Sequence, residues 1–312
     1  MNILSNRIVD LVGKGIIGRR IIFTVFLLLF AGAQNISAEP VPTIVGGEEV
    51  NPRFKYTWMV ALINSTAPPT GDVWADQFCG GTLIEPDLVV TAAHCVDDKS
   101  AGEVDVLLGA HDLTDGTENC NMGGECLRQR IKVSQLTIHE KWDDTTIDND
   151  IALLKLAKPV AGLSAAALIS LPALKDPGTT ATAIGWGDTA GGAEDQDYPT
   201  TLQQVNLSLV SQSVCVDAHS YMTITDNMLC GWNSGKGVCF GDSGGPLVVQ
   251  NASQNNRWEL IGISSFVGPK TGGLKCAQPD YPSVFVNVYN YLDWIEPPSL
   301  AGAGVLLLLL DD

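Results

Sequence analysis

A chain of 312 residues that is 45% hydrophobic and only 17% charged has ample apolar material for a core, which excludes an intrinsically disordered protein. Its net charge of −17 repels phosphate backbones and anionic lipid, so neither nucleic acid nor a membrane surface is expected as a partner held by charge. The length exceeds a typical single domain, yet all-β folds often run to about 200 to 250 residues as one unit, so one unit is expected.

At the start of the chain stand Arg7, Lys14, Arg19 and Arg20, then an apolar run over 21–30, then small residues at Ala31, Ala33 and Ala38. This pattern reads as a secretory signal peptide over 1–38, because the run is shorter than the ~20 apolar residues that span a bilayer. A propeptide of 39–43, a folded domain of 44–296 and a C-terminal tail of 297–312 follow. Without 1–43 the chain keeps 14 basic and 33 acidic residues, a net −19. Export permits disulfides, and the eight cysteines (Cys79, Cys95, Cys120, Cys126, Cys215, Cys230, Cys239, Cys276) are an even number. Spacing alone leaves ~105 pairings, and the lack of any Cys-x-x-Cys pair disfavours zinc. Asn64, Asn206 and Asn251 each open a glycosylation sequon.

From residue 44 onward, short β-rich runs alternate with Gly, Pro, Asn and Asp clusters. Strands are predicted over 83–92, 104–108, 151–156, 180–184, 202–209, 246–249, 260–264 and 284–288. No strong helical period precedes 289–295, where Tyr291, Leu292 and Ile295 predict a short terminal helix. Many short strands without βαβ alternation predict an all-β barrel or sandwich. The acidic, glycine-rich stretch 187–199 reads as a solvated loop. Pro297 and Pro298 close the domain, and the apolar 301–310 beyond them lacks the polar spacer of a lipid-anchor signal.

Three segments carry chemistry. In Gly241-Asp242-Ser243-Gly244-Gly245-Pro246, flanking glycines let a substrate approach Ser243 and free backbone N–H groups to face it. A serine hydroxyl is a poor nucleophile near neutral pH and needs a general base and a group that orients it. Thr91-Ala92-Ala93-His94-Cys95 offers the base after an apolar strand, and Asp148-Asn149-Asp150-Ile151 offers a carboxylate before a buried one. Singly, each segment reads as well as a tight turn, a buried histidine or a strand cap.

Together, in the order His, Asp, Ser, they strongly resemble the chymotrypsin-like serine proteases. The resemblance extends to Ile44-Val45-Gly46-Gly47, Cys79-Gly80-Gly81-Thr82-Leu83-Ile84 and Gly185-Trp186-Gly187, and covers 44 to about 295. It implies two six-stranded antiparallel β-barrels, a short C-terminal helix and an active site in the cleft between barrels. It further implies that His94 takes the proton of Ser243, that Asp150 holds the imidazole tautomer, and that the N–H groups of Gly241 and Ser243 form the oxyanion hole. Ser265 matches the residue that supports the buried aspartate, and His111, His139 and His219 match no motif. Proteolysis is expected to free the α-amino group of Ile44 to pair with Asp242, although Thr43, not Arg or Lys, precedes the cut. The implied disulfides are Cys79 with Cys95, Cys215 with Cys230, and Cys239 with Cys276, which leaves Cys120 with Cys126. Closing the loop from 79 to 95 is worth ~3 kcal/mol on the chain-entropy estimate.

The resemblance puts the floor of the substrate pocket at Gly237, where trypsin-like enzymes carry Asp, so a buried basic side chain would go unpaired there. Ser265, Phe266, Val267 and Ser283 form its walls, and Val267 narrows a slot where chymotrypsin itself has glycine. The expected enzyme is a secreted, extracellular, elastase-like endopeptidase that cuts after small or medium aliphatic residues. A preference for large aromatics, and a non-catalytic binding protein on the same scaffold, are the alternatives. Its expected partners are protein or peptide substrates, an activating peptidase and protein protease inhibitors, and it is expected to be a monomer. No cofactor or metal is expected: Ala110 stands where calcium-binding relatives place a carboxylate.

Overall fold

The computed structural model describes residues 44–68, 71–115, 127–192, 196–268 and 276–296. The expected signal peptide, propeptide and tail, and the pair Cys120 and Cys126, lie outside the described residues.

Fourteen strands follow in chain order among the described residues: β1 (Glu48–Glu49), β2 (Met59–Asn64), β3 (Gln77–Glu85), β4 (Leu88–Thr91), β5 (Val104–Leu108), β6 (Gln129–Ile138), β7 (Ala152–Leu156), β8 (Ala167–Leu168), β9 (Thr180–Gly185), β10 (Gln203–Val210), β11 (Met228–Trp232), β12 (Pro246–Asn251), β13 (Arg257–Phe266) and β14 (Ser283–Asn287). The first barrel closes in the order β2-β3-β4-β7-β6-β5. The second runs β9-β10-β11-β14-β13-β12 and closes where β12 pairs back with β9. Both are antiparallel and six-stranded, as expected. β1 extends the second barrel along β10, and β8 adds a parallel pair to β13.

Within the barrels, β2, β5 and β14 are buried along nearly their whole length, so their side chains pack inside and against neighbouring loops. β6 instead alternates, with Ile131 and Val133 buried and Lys132 and Ser134 exposed, because its outer face meets solvent. The single strand expected over 83–92 is a hairpin: Glu85 pairs with Leu88 across Pro86-Asp87, and proline cannot continue a ladder. A helix, α1 (Gln212–Ala218), stands where none was expected. The side chain of Ser211 caps it by accepting from Val214 N, and among its residues only Cys215 is fully buried, so no apolar period marks it. At the other end a 3-10 turn over Val288–Tyr291 leads into α2 (Leu292–Ile295), where Tyr291 and Ile295 are buried as the helical spacing predicts.

Among the described residues, three disulfides join Cys79 to Cys95, Cys215 to Cys230 and Cys239 to Cys276. Asn251 corrects an expectation. It is buried, and its Nδ2, the atom a glycan would occupy, donates to Glu259 Oε1 at 2.9 Å and Ser170 Oγ at 3.2 Å. Asn206 is exposed on β10, with only its Oδ1 engaged, by Thr182 Oγ1. Asn64, at the end of β2, is half-buried. Among the described residues, no helix is long and apolar enough to cross a membrane.

Candidate active site

β4 ends at Thr91, and a 3-10 turn over Ala93–Cys95 then lifts His94 to the barrel rim while the Cys95 bridge ties the turn to β3. Asp150 precedes β7 and is 1% exposed. Its two oxygens are fully engaged. Oδ1 accepts from His94 N at 2.9 Å, and Oδ2 meets His94 Nδ1 at 2.8 Å and accepts from Ser265 Oγ at 2.5 Å. The donors come from both barrels, so the carboxylate is fixed only where they meet. Asp148, two residues earlier, strengthens that seam by accepting from Thr225 Oγ1 and Asn227 Nδ2.

Ser243 lies in the loop before β12. Glycine is needed here twice, for Gly241 has φ +93° and Gly244 φ +76°, a region L side chains rarely enter. Gly80 N of β3 donates to Ser243 O at 2.7 Å, and Gly244 N donates to Ser264 O at 2.8 Å, so both barrels hold the loop. The N–H groups of Gly241 and Ser243 have no hydrogen-bond partner among the described residues. His94 and Ser243 line one cavity, but no hydrogen bond joins the Ser243 hydroxyl to the imidazole. Such contacts commonly tighten only when substrate is seated.

The cavity encloses about 290 Å³, and Val238, Phe240, Ser264, Ser265, Phe266 and Val267 complete much of its wall. Gly237 and Ser283 do not line this cavity. They stand against one another behind it: a Cβ at Gly237 would come within 2.9 Å of Ser283 Oγ, which accepts from Val238 N at 3.3 Å. None of the described lining residues is acidic. A second cavity, about 250 Å³, lies against Gly241 and is lined by Trp74, Ala75, Gln77, Phe78 and Tyr198. Sequence reasoning missed these residues, since no motif joins the 74–78 segment to Tyr198 and Gly241.

Electrostatics divides the site in two. Burial alone would lower the His94 pKa, but the hydrogen bond and charge of Asp150, with a smaller contribution from Asp97, raise it above the ordinary 6.5. Asp242 is fully buried, and that burial raises its carboxyl to about 7 against the opposing hydrogen bonds from Cys239 N and Gly187 N, both 2.8 Å. Ile44 is also fully buried, and no ion pair joins it to Asp242 among the described residues. The pairing expected from the sequence needs a free α-amino group, which a peptide bond to Thr43 withholds.

The other histidines are held by contacts outside the cavity. His111 Nε2 meets Glu49 at 2.8 Å, His219 meets Pro282 O and Tyr221 at 2.9 Å, and His139 packs against Tyr291 and Trp294.

Comparison with known proteins agrees with this arrangement. Residues 44–295 match the family described as Trypsin. The chain is 35% identical to trypsin eta of Drosophila erecta, covering 88% of this chain and 98% of that protein. It is 36% identical to brachyurin of Leptuca pugilator (81% and 97%) and 31% identical to glandular kallikrein of Sus scrofa (83% and 97%). With this match across both barrels, and with His94 and Ser243 lining one cavity and Asp150 bonded to His94 behind it, the chain belongs to the trypsin family of chymotrypsin-like serine endopeptidases.

Proposed function

We propose that the chain is a secreted endopeptidase that cuts protein or peptide substrates after small or medium aliphatic residues through an acyl-enzyme. Ser243 attacks the scissile carbonyl while His94 takes its proton and later returns it to the leaving amine. Asp150, held from three directions, keeps Nδ1 protonated so that Nε2 is free to act as base. The unpartnered N–H groups of Gly241 and Ser243 receive the oxyanion, a contribution for which loss of one donor costs about 100- to 1000-fold. Cleavage before Ile44 matures the enzyme by freeing the amine that Asp242 requires.

One observation carries the choice of substrate: the cavity beside Ser243 is walled by Val238, Phe266 and Val267 and has no acidic side chain among its described lining residues. A basic side chain would enter it unpaired, whereas an aliphatic one exchanges water for apolar contact. Discrimination by a methylene or two is weak, about 10- to 200-fold, so the preference is graded.

The test uses protein beginning at Ile44 and a peptide series that varies only the residue before the cut. Highest kcat/KM after Val, Ala or Leu, abolished by Ser243→Ala, is the expected result. Val267→Gly should move the optimum toward Phe and Tyr. An optimum at Phe or Tyr in the parent would overturn the pocket assignment, and one at Arg or Lys would overturn the argument from charge.

A further inference from the structure

We propose that Gln77 is a positioning residue for the oxyanion hole, reaching from the first barrel to lock the Gly241 peptide of the second. The proposal rests on the reading of the Gly241 N–H as an oxyanion donor.

Each carbonyl from 240 to 243 is held by one donor. Phe240 O accepts from Asp188 N at 2.7 Å, Asp242 O from Gly245 N at 2.9 Å, and Ser243 O from Gly80 N at 2.7 Å. Three of the four bonds are backbone to backbone, so no change of side chain deletes them. The fourth is different: Gly241 O accepts from Gln77 Nε2 at 2.9 Å. The same Nε2 donates to Cys79 O on its own strand at 3.0 Å, so the amide is itself anchored.

Gly241 needs such an anchor more than its neighbours do. Its φ of +93° and missing Cβ leave ψ unrestrained by local sterics. The Asp188 bond fixes the peptide that carries the Gly241 N–H, because in a trans peptide that N–H points away from Phe240 O. On the other side of the Cα, Asp242 N donates to Cys239 O at 3.0 Å, and Gln77 holds the opposite edge of the same peptide. Without the amide, the Gly241 carbonyl would face the second cavity with no protein donor, and the peptide after Gly241 would keep only the Asp242 N bond to Cys239 O. A side chain at 241 could not take over, since a Cβ there would stand 3.1 Å from Gly187 Cα and 3.4 Å from the Tyr198 ring. Preorganised donors stabilise the transition state because they need no rearrangement as charge develops. Loosening one should therefore affect turnover and spare the binding of uncharged substrate.

The experiment compares the parent, Gln77→Leu, Gln77→His and Ser243→Ala, all beginning at Ile44, with rates expressed per titrated active site for the first three and per total protein for Ser243→Ala. Gln77→Leu should lower kcat about 10-fold, a fraction of the loss seen when an oxyanion donor is removed. KM should stay within about twofold, and inhibition by a peptide aldehyde, whose adduct places an oxyanion in the hole, should weaken by the same factor as kcat. Gln77→His, which can offer an N–H at similar reach, should recover most of both losses. If the Leu variant fails to fold, Gln77→Met carries the same comparison. Unchanged kcat and aldehyde affinity in the Leu or Met variant, or a change in KM alone, would overturn the proposal. Turnover that persists in Ser243→Ala would instead overturn the reading of the site, and the proposal with it.

Discussion

At the scale of single residues, His94 carries the clearest consequence. Its pKa is raised because Asp150 outweighs burial, so the base is captured in its protonated form more readily than a free imidazole. For stability the sign follows directly: the contribution is fully present below the unfolded pKa near 6.5 and is lost as pH rises through the folded value. For catalysis the neutral form is required, so kcat/KM should rise with pH along one ionisation whose midpoint lies above 6.5. Asp150→Asn removes the charge and leaves burial as the main influence. A pH profile of that variant should show the midpoint falling below 6.5 and kcat falling about 10,000-fold. A midpoint that stays in place would mean that some group other than His94 titrates. Ser243, His94 and Asp150 could be singled out in the sequence because their three segments, each ambiguous alone, occur together in the order His, Asp, Ser. Gln77 was not, since nothing in Asp76-Gln77-Phe78-Cys79 signals that its amide crosses to a glycine 164 positions away.

At the scale of elements, the face each strand presents explains much of what was legible, though not β2, an apolar and buried strand that was not among those expected. β5, β7, β9, β12 and β14 stand out as apolar runs because they are largely buried, whereas β6 is half polar and β11 is a five-residue strand containing a cysteine and a glycine. The hairpin β3-β4 was read as one strand because apolar residues flank a turn of only two positions. α1 was invisible because it works as a bridge, holding Cys215 against β11, and not as an amphipathic layer. Loop closure is harder still to read. The guanidinium of Arg128 donates to the carbonyls of Asp112 at 3.0 Å, Asp115 at 2.6 Å and Gly71 at 3.0 Å, drawing together the loops that follow β2 and β5. We propose that this side chain supplies, from within the chain, the positive charge that such carbonyls attract, so that the loop needs no divalent cation. Melting temperature and turnover should then be the same in calcium and in excess chelator. Arg128→Gln should cost about 1 to 2 kcal/mol of charged hydrogen bonding, or about 3 to 6 °C by calorimetry. A fall in melting temperature on chelation of the parent would refute this.

At the scale of the whole molecule, a chain of net −17 has little electrostatic reason to bury another carboxylate, yet Asp242 is 1% exposed at the base of the nucleophile loop. Two backbone donors are insufficient to offset its desolvation, and nearby Asp188 works in the same direction as burial, so its pKa stands near 7 while Ile44 remains part of an uninterrupted chain. The linkage is therefore that of a raised acid. Its contribution to stability is fully present below the unfolded value near 3.8 and is lost as pH rises toward 7, by on the order of 4 kcal/mol if the group is fully titrated. Cleavage before Ile44 supplies an α-ammonium group, and a buried carboxylate paired with it no longer needs a proton. Uncleaved and cleaved forms of the Ser243→Ala protein should thus diverge in urea melts between pH 4 and 8. The uncleaved form should lose stability steadily across that range, while the cleaved form should hold nearly constant above pH 5. Asp242→Asn in the uncleaved form should flatten its curve, since the amide carries no charge to desolvate. Parallel curves for the two forms would show that Ile44 does not reach Asp242 after cleavage, and maturation would then have to order the nucleophile loop by some other contact.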